Sequence, residues 1–320
     1  MTGDPVQPLV TVTHASVTFG RVRRVQAVAD VSIDVRPGEV LAIVGESGSG
    51  KSTLARAIVG LQKLSAGTIE FDPAKARKRV AQMIFQDPRS SLNPSLTVRQ
   101  LVLEAAPASQ SRAQREAALT SILDEVGISG TMLDSRPGQL SGGQCQRVSI
   151  ARALMSGPEL LVCDEVVSAL DVSIQAQVLE LLRGLKERQD LAMLFITHDL
   201  GVVRQLADRV AVMYLGKVVE IGPADDIFER PTHPYTQALL SSAVDLARSE
   251  SDEHRSLRFE LGGTPPSPSN PPAGCRLHPR CWKAQEVCST VEPPLEAQPS
   301  GTRSACHFAE SIDVLNGSPA

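Results

Sequence analysis

Eight consecutive residues, Gly45-Glu46-Ser47-Gly48-Ser49-Gly50-Lys51-Ser52, satisfy the pattern G-x-x-x-x-G-K-[ST] without exception. The glycines let successive backbone N–H groups converge on phosphate oxygens that a Cβ would hold off. The N-terminus of the helix expected to follow adds positive potential. Lys51 is placed to reach the β- and γ-phosphates of a nucleotide, Ser52 to ligate Mg²⁺, and Thr53 extends the segment. A plain glycine-rich turn is the alternative. The apolar run before the loop and the helical pattern after it weaken that alternative.

A second group is carboxylate chemistry. Leu160-Leu161-Val162-Cys163-Asp164-Glu165 reads as an apolar strand ending in two acids. Asp164 falls where a Mg²⁺ shell needs an acid, and Glu165 where an attacking water would be polarised. Two solvated acids at a strand end are the plainer reading. His198 follows the apolar run Phe195-Ile196-Thr197, and Gln86 ends Ile84-Phe85-Gln86. A helix N-terminal histidine and a turn glutamine are their ordinary readings. All four fall at the C-terminal ends of expected strands, where open α/β sheets bind ligands. Their convergence carries more than any one of them.

The elements that must position these groups alternate in type. Val10–Val17, Val28–Val35, Val40–Val44, Val80–Phe85, Glu159–Cys163 and Leu191–Thr197 read as strands. Lys51–Leu61, Gly142–Met155 and Ile174–Glu187 read as helices, with another helix ending near Ala207. Leu101–Val126 reads as helix-rich, broken around Ser109 and Ser111. Val210–Tyr214 and Lys217–Ile221 pair around Leu215-Gly216. The order predicts a parallel-sheet α/β core with β additions.

Composition bounds the rest. The 320 residues allow roughly two domains, or one with an extension. A hydrophobic share of 42% and a charged share of 21% exclude a mostly disordered chain. A net charge of −4 and 3% aromatics argue against a nucleic-acid face. No apolar stretch is long enough to span a membrane, and the start lacks a signal-peptide pattern. These features predict a cytosolic chain that docks on membrane subunits if it serves a membrane process. Gly263 to Gly274 is Pro-rich and reads as an extended linker. From about Ala309 the chain has little pattern and is expected to fray.

Leu140-Ser141-Gly142-Gly143-Gln144 matches the signature of ABC-type ATPases, and with the motifs above the chain resembles an ABC transporter nucleotide-binding subunit over about residues 8–245. Ser141 would also be a good helix N-cap. The resemblance implies an ABC-type P-loop ATPase core: a mostly parallel sheet, an antiparallel β subdomain and a helical subdomain over about 90–157. It implies that Phe19 stacks on adenine and that Gly45 to Thr53 holds the phosphates. Ser52, Gln86 and Asp164 are implied for Mg²⁺, Glu165 as general base and His198 as the γ-phosphate switch. Gln86 is also implied to couple the site to membrane subunits. Ser168-Ala169-Leu170-Asp171 resembles the D-loop, and Ser141 to Gln144 are implied to complete a partner's site in trans. One departure is Val166, where the family usually has proline; it should relax a backbone constraint and removes no catalytic group.

Gln86-Asp87-Pro88-Arg89-Ser90-Ser91-Leu92-Asn93-Pro94, His233-Pro234-Tyr235-Thr236 and the Pro-rich end before Cys275 resemble the oligopeptide/dipeptide/nickel importer branch, and Ser141-Gly142-Gly143-Gln144-Cys145-Gln146-Arg147 with Cys163 before Asp164 resembles the F-type member of its ATPase pair. That resemblance implies ATP-driven import of di- or oligopeptides at the cytoplasmic face of the cell membrane. The implied partners are a D-type ATPase paralogue, two transmembrane permease subunits and, indirectly, an extracytoplasmic substrate-binding protein. A nickel or other small-solute importer is the nearest alternative. A soluble ABC ATPase outside transport, or a regulatory ATPase with a metal-sensing tail, does not account for the terminal pattern.

Of six cysteines, Cys145 and Cys163 are expected to be small buried residues. Cys275, Cys281, Cys288 and Cys306 could supply four thiolates, with spacing unlike the short knuckles of structural zinc. The branch resemblance implies a [4Fe–4S] cluster there; unligated thiols in a small association module are the alternative. His278 and His307 are expected at the surface. The expected partition is a core over 8–245, a linker over 246–274 and a cysteine-containing module over 275–308.

Overall fold

The structure, a computed structural model, describes residues 7–20, 24–74, 80–168, 170–247, 259–313 and 318–319. Ala169 of the D-loop match, residues 248–258 of the linker and part of the extreme C-terminus lie outside the described residues.

Strands β1 (Val10–Phe19) and β2 (Val25–Val35) bury Val10, Val12, Val17, Val28, Val31, Ile33 and Val35. Every residue of β3 (Val40–Val44) is buried, as a continuous apolar run in a parallel sheet requires. Helix α1 (Lys51–Ile58) follows the glycine loop and stops three residues before the expected Leu61. There Gly60 takes a φ of +78°, and the Leu61 and Gln62 N–H groups both turn back to the Arg56 carbonyl. Strand β4 (Ala66–Phe71) was not expected, because Ala66-Gly67-Thr68 carries no apolar alternation. It completes a three-stranded sheet of order β2-β1-β4.

After β5 (Ala81–Ile84) come four helices: α2 (Pro88–Ser91), α3 (Val98–Leu103), α4 (Arg112–Val126) and α5 (Gly142–Leu154). Three carry reciprocal capping boxes, Thr97 with Gln100, Ser111 with Gln114 and Ser141 with Gln144. The expected break near Ser109 and Ser111 is thus a helix start. Beyond them lie β6 (Leu160–Asp164), α6 (Val172–Gln189), β7 (Ala192–Ile196), α7 (Leu200–Leu206), β8 (Arg209–Tyr214), β9 (Lys217–Pro223), α8 (Ala224–Glu229) and α9 (Pro234–Ala247). The C-terminal region adds α10 (Glu286–Thr290), β10 (Glu296–Ala297) and β11 (Arg303–Ser304). No helix among the described residues is long and apolar enough to cross a membrane.

The chain forms two compact units. One contains the described residues of Met1–Thr11, Asp34–Val40 and Glu70–Ile196. In it β5, β6 and β7 pair in parallel. Arg89 Nη2 donates to the Leu140 carbonyl, and Arg152 Nη1 to that of Ser91, tying α2 to the start and body of α5.

The other unit contains Val12–Ile33, Leu41–Ile69 and the described residues of Thr197–Ala320. Here β3 and β8 are parallel, and β8 and β9 form the expected hairpin. Its turn residues, Leu215 at φ +44° and Gly216 at φ +82°, are both left-handed, as a two-residue turn matched to strand twist demands. Beyond β9 the sheet continues through β11 to β10, all antiparallel. Tyr214, Tyr235, Leu240 and Leu277 lie in this unit's core. The α/β class, with parallel strands, antiparallel additions and a helical insert, is the one expected.

The expected fraying from Ala309 is not what the structure holds through Ile312. The Glu310 N–H donates to the Thr232 carbonyl, the Ile312 N–H to that of Pro231, and Lys283 Nζ lies 2.8 Å from Glu310 Oε2. Backbone pairing with a loop needs no side-chain periodicity, so the sequence carries no sign of it.

Candidate functional site

The loop from Gly45 to Ser52 connects β3 to α1. Gly45 has a φ of +147°, and a Cβ there would lie 2.1 Å from the Met213 carbonyl oxygen. At Gly50, φ +104°, a Cβ would lie 2.1 Å from the Ala27 oxygen. Gly48 is also left-handed, at φ +79°, but its Cβ would meet nothing. Neighbouring backbone therefore dictates glycine at two positions and conformation alone at the third. Lys51, 5% exposed, donates from Nζ to the carbonyls of Gly45 (2.8 Å) and Glu46 (2.9 Å). The Ser49 hydroxyl is buried with no hydrogen-bond partner among the described residues. A buried ammonium, an orphaned hydroxyl and the Ser52 hydroxyl on the first helical turn form a donor set that fits a polyphosphate and its Mg²⁺. Ser47 and Gly48 are exposed, and Ser52 and Thr53 half-buried.

In the same unit Phe19 ends β1 and is 41% exposed, available as a stacking face. His198 is exposed between β7 and α7. Its neighbour Asp199 caps α7, accepting from the Gly201 and Val202 N–H groups at 2.9 and 3.2 Å.

The first unit brings two of the expected residues into contact. Gln86 Nε2 donates to Glu165 Oε2 at 2.6 Å. Asp164 is the buried last residue of β6. Glu165 then turns the chain at φ +51°, a conformation unusual for a non-glycine residue and common where a site over-determines the backbone. Its N–H donates to the Ile196 carbonyl at 2.9 Å, and its own carbonyl accepts from the Ser168 hydroxyl at 2.9 Å. Val166 is buried beside it at 2% exposure.

Ser141 is the N-cap of α5. Its Oγ accepts from the Gln144 N–H, while Gln144 Oε1 accepts from the Ser141 N–H at 2.8 Å. The two glycines between them differ. A Cβ on Gly143 would lie 2.7 Å from Ile174 Cγ2, whereas one on Gly142 would meet nothing. Close packing on α6 accounts for Gly143, and Gly142 faces open space. Asp171 caps α6, accepting from the Ile174 N–H at 3.0 Å and the Ser173 hydroxyl at 2.8 Å. Those hydrogen bonds, the Ile174 N–H foremost, hold its carboxyl below the usual range.

All six cysteines are free thiols. Cys145 and Cys163 are fully buried, as expected, and burial pushes both thiols up. Burial also raises Cys275 and Cys281, and pushes Cys306 up to about 11, with Cys281, Cys275 and Cys288 adding to that last shift. The Cys275 N–H donates to the Cys288 carbonyl at 2.8 Å, which sets those two residues side by side. Yet no group of three or more His, Cys, Asp or Glu among the described residues is arranged to hold a metal ion. The donor count suits a cluster and the arrangement does not assemble one. His278 and His307 are half-buried, each with one ring nitrogen held: His278 Nδ1 pairs with the Cys275 carbonyl and His307 Nε2 with that of Val291.

Three further residues, two of them outside any motif, lie near the loop. The Glu46 N–H donates to Tyr235 Oη at 2.8 Å, and Arg280 Nη1 reaches both Glu46 carboxylate oxygens and Tyr214 Oη. Tyr235 belongs to the His233-Pro234-Tyr235 motif; nothing in the sequence marks Tyr214 or Arg280.

Comparison with known proteins agrees with this geometry. Residues 28–168 match the ABC transporter family, and residues 219–288 the oligopeptide/dipeptide transporter C-terminal region. A probable peptide ABC transporter ATP-binding protein of Sinorhizobium fredii is 45% identical over 92% of this chain and 86% of its own length. The oligopeptide transport ATP-binding protein OppF of Escherichia coli is 42% identical over 93% and 90%. An ATP-binding cassette solved as a dimer in a post-hydrolysis state with ADP and Pi superimposes with a TM-score of 0.59 at 28% identity, over 67% of this chain and 98% of that one. ATP and Mg²⁺ are the expected substrate and ion of such a protein. This chain is an ATPase and belongs to the family of ABC transporter ATP-binding subunits, in its oligopeptide/dipeptide branch.

Proposed function

We propose that this ATPase energises the import of di- and oligopeptides. The observation carrying this reading is that similarity to peptide-transport ATPases runs through the C-terminal region as well as the nucleotide-binding core. In this reading the chain sits at the cytoplasmic face of a membrane. Its partners are two permease subunits and a D-type ATPase, served by an extracytoplasmic binding protein. The core spans 8–245 with a helical subdomain over about 90–157, the linker 246–274, and the cysteine module 275–308.

Lys51 and the glycine loop bind the phosphates, Phe19 stacks on the base, and Ser52, Gln86 and Asp164 supply oxygen ligands. Mg²⁺, when bound, neutralises charge on the phosphate oxygens. Glu165 takes the proton of the attacking water at its carboxylate, held in place by the Gln86 amide, and His198 reads the γ-phosphate end. Ser141 to Gln144 and Asp171 serve a partner subunit's site. Most of the rate enhancement is positioning and charge neutralisation.

For the tail, a [4Fe–4S] cluster on Cys275, Cys281, Cys288 and Cys306 rests on the number of thiols alone, because no three of them stand as a metal-holding group among the described residues. Anaerobically purified protein should carry iron and acid-labile sulfide in equal amounts; metal-free protein with a folded tail refutes the cluster.

The transport reading is tested by uptake of labelled di- and oligopeptides in cells lacking the gene, complemented with wild type or Glu165→Gln. Wild type alone restores uptake if it holds. Unaltered peptide uptake in the deletion strain, with redundancy excluded, overturns the peptide cargo and moves the test to nickel.

A further inference from the structure

Glu46, the first variable residue of the phosphate loop, is held at every polar group it owns. Its carbonyl accepts from Lys51 Nζ at 2.9 Å. Its N–H donates to Tyr235 Oη at 2.8 Å. Its carboxylate accepts from Arg280 Nη1 at 3.1 Å to each oxygen. The last two contacts come from far along the chain, 189 and 234 positions away.

Both distant residues are themselves fixed. The Tyr235 ring is fully buried and packs 4.8 Å from that of Tyr214. Its N–H donates to His233 Nδ1 at 3.1 Å, and the His233 N–H donates to the buried Glu220 carboxylate at 3.1 Å. The Arg280 side chain is only 9% exposed. Its guanidinium also lies 5.9 Å from the Tyr214 ring centroid, within cation–π range, and donates to Tyr214 Oη at 3.3 Å. Both its backbone and its side chain bond Gly262: the Gly262 N–H donates to the Arg280 carbonyl, and Arg280 Nε donates to the Gly262 carbonyl.

A carboxylate in a loop that must receive a polyanion opposes binding unless it is neutralised. A peptide plane in such a loop must also point its N–H groups consistently. Arg280 does the first for Glu46 and Tyr235 does the second. We propose that Tyr235 and Arg280 are positioning residues of the nucleotide site, through which the C-terminal region sets the affinity of the phosphate loop for ATP. This rests on residues 45–52 being that loop. It gives the His233-Pro234-Tyr235 motif a role in the ATPase, and it makes the C-terminal region part of the site rather than an appendage.

The test is MgATP affinity and steady-state ATPase of the assembled transporter, read at low and high salt. Loss of a partly buried, charge-assisted contact corresponds to about a tenfold effect. Arg280→Ala should therefore raise KM for ATP about tenfold at low salt, with kcat at saturation within about threefold, and salt should shrink the difference. Arg280→Lys should recover most of it. Adding Glu46→Gln to Arg280→Ala should restore affinity to within about threefold of Glu46→Gln alone, because the uncompensated charge is gone. Tyr235→Phe keeps the packed ring and removes only the Oη acceptor; it should weaken ATP binding a few-fold at an unchanged melting temperature. Unaltered ATP affinity in both Arg280→Ala and Tyr235→Phe overturns the proposal, as does a double variant no better than Arg280→Ala. Lys51→Ala is the separate control: if it retains normal ATP binding, the phosphate-loop assignment itself fails.

Discussion

Gln86 and Glu165, 79 positions apart, meet through a 2.6 Å hydrogen bond from the amide Nε2 to carboxylate Oε2. Each lies just beyond the end of a strand, half-buried β5 and fully buried β6, and those strands are adjacent and parallel, with Ile84 opposite Cys163. The pairing places a neutral donor on the carboxylate proposed as general base. Glu165→Gln should keep ATP binding and lose turnover by about 10²–10⁴-fold, the usual contribution of a positioned base. Gln86→Ala should lower kcat less, about tenfold, since it removes only the group that orients the carboxylate. Phosphate release by the assembled transporter, together with equilibrium nucleotide binding, separates the two. Full turnover in Glu165→Gln would remove it from the chemistry.

The loop glycines divide by cause. At Gly45 a methyl group would collide with the Met213 carbonyl at 2.1 Å, and φ is already unfavourable. Gly45→Ala should cost about 3 kcal/mol or more and abolish nucleotide binding. At Gly48 the space is open, so Gly48→Ala should cost only the conformational penalty, about 1–2 kcal/mol. Chemical denaturation of the two variants side by side checks this ordering, and equal losses would contradict it.

His233 gives the fold an acid sensitivity. Burial pushes its pKa down from 6.5 to about 3, so between those values the unfolded chain takes up a proton that the folded one refuses. Stability is therefore complete above about pH 6.5 and falls as pH drops toward 3, by at most about 1.4 kcal/mol per pH unit. Its neighbour Glu220 works in the opposite sense: burial raises its pKa, so the folded state gains a proton first as pH falls. His233→Asn keeps an acceptor for the Tyr235 N–H and should flatten the loss between pH 6.5 and 5. Urea midpoints of both proteins across that range give the comparison, and identical slopes would rule out His233 as the source.

Glu220 also anchors the C-terminal strand pair. Its Oε1 accepts from the Thr232 N–H at 2.8 Å and from the Thr232 and Thr302 hydroxyls at 2.7 and 3.2 Å, all buried. Thr302→Val preserves shape and removes one donor, which should cost about 1–2 kcal/mol. Thermal melting would show it as a drop of a few degrees, and proteolysis near residues 296–304 should quicken if the cost falls on the docked tail. An unchanged melting temperature would mean the remaining donors suffice.

The sequence by itself determined the local chemistry of this protein. A strand running into G-x-x-x-x-G-K-S, a strand ending in Asp164-Glu165 and a Ser-Gly-Gly-Gln helix start are short-range patterns. Each depends on neighbours within one turn of chain, so residue spacing alone predicts strand, loop and cap. The buried runs of β3, β6 and β7 were legible for the same reason. Tertiary structure decided what spacing cannot encode. Gln86 meets Glu165 only because their strands pair. Gly45 and Gly50 are constrained by the Met213 and Ala27 carbonyls, which no local pattern brings near them. Strand β4, with no apolar alternation, exists because a sheet edge supplies its hydrogen bonds. Arg280 has no motif of its own; its partner in charge lies 234 residues away, and only the packing of Tyr214 and Tyr235 beneath it brings the two together.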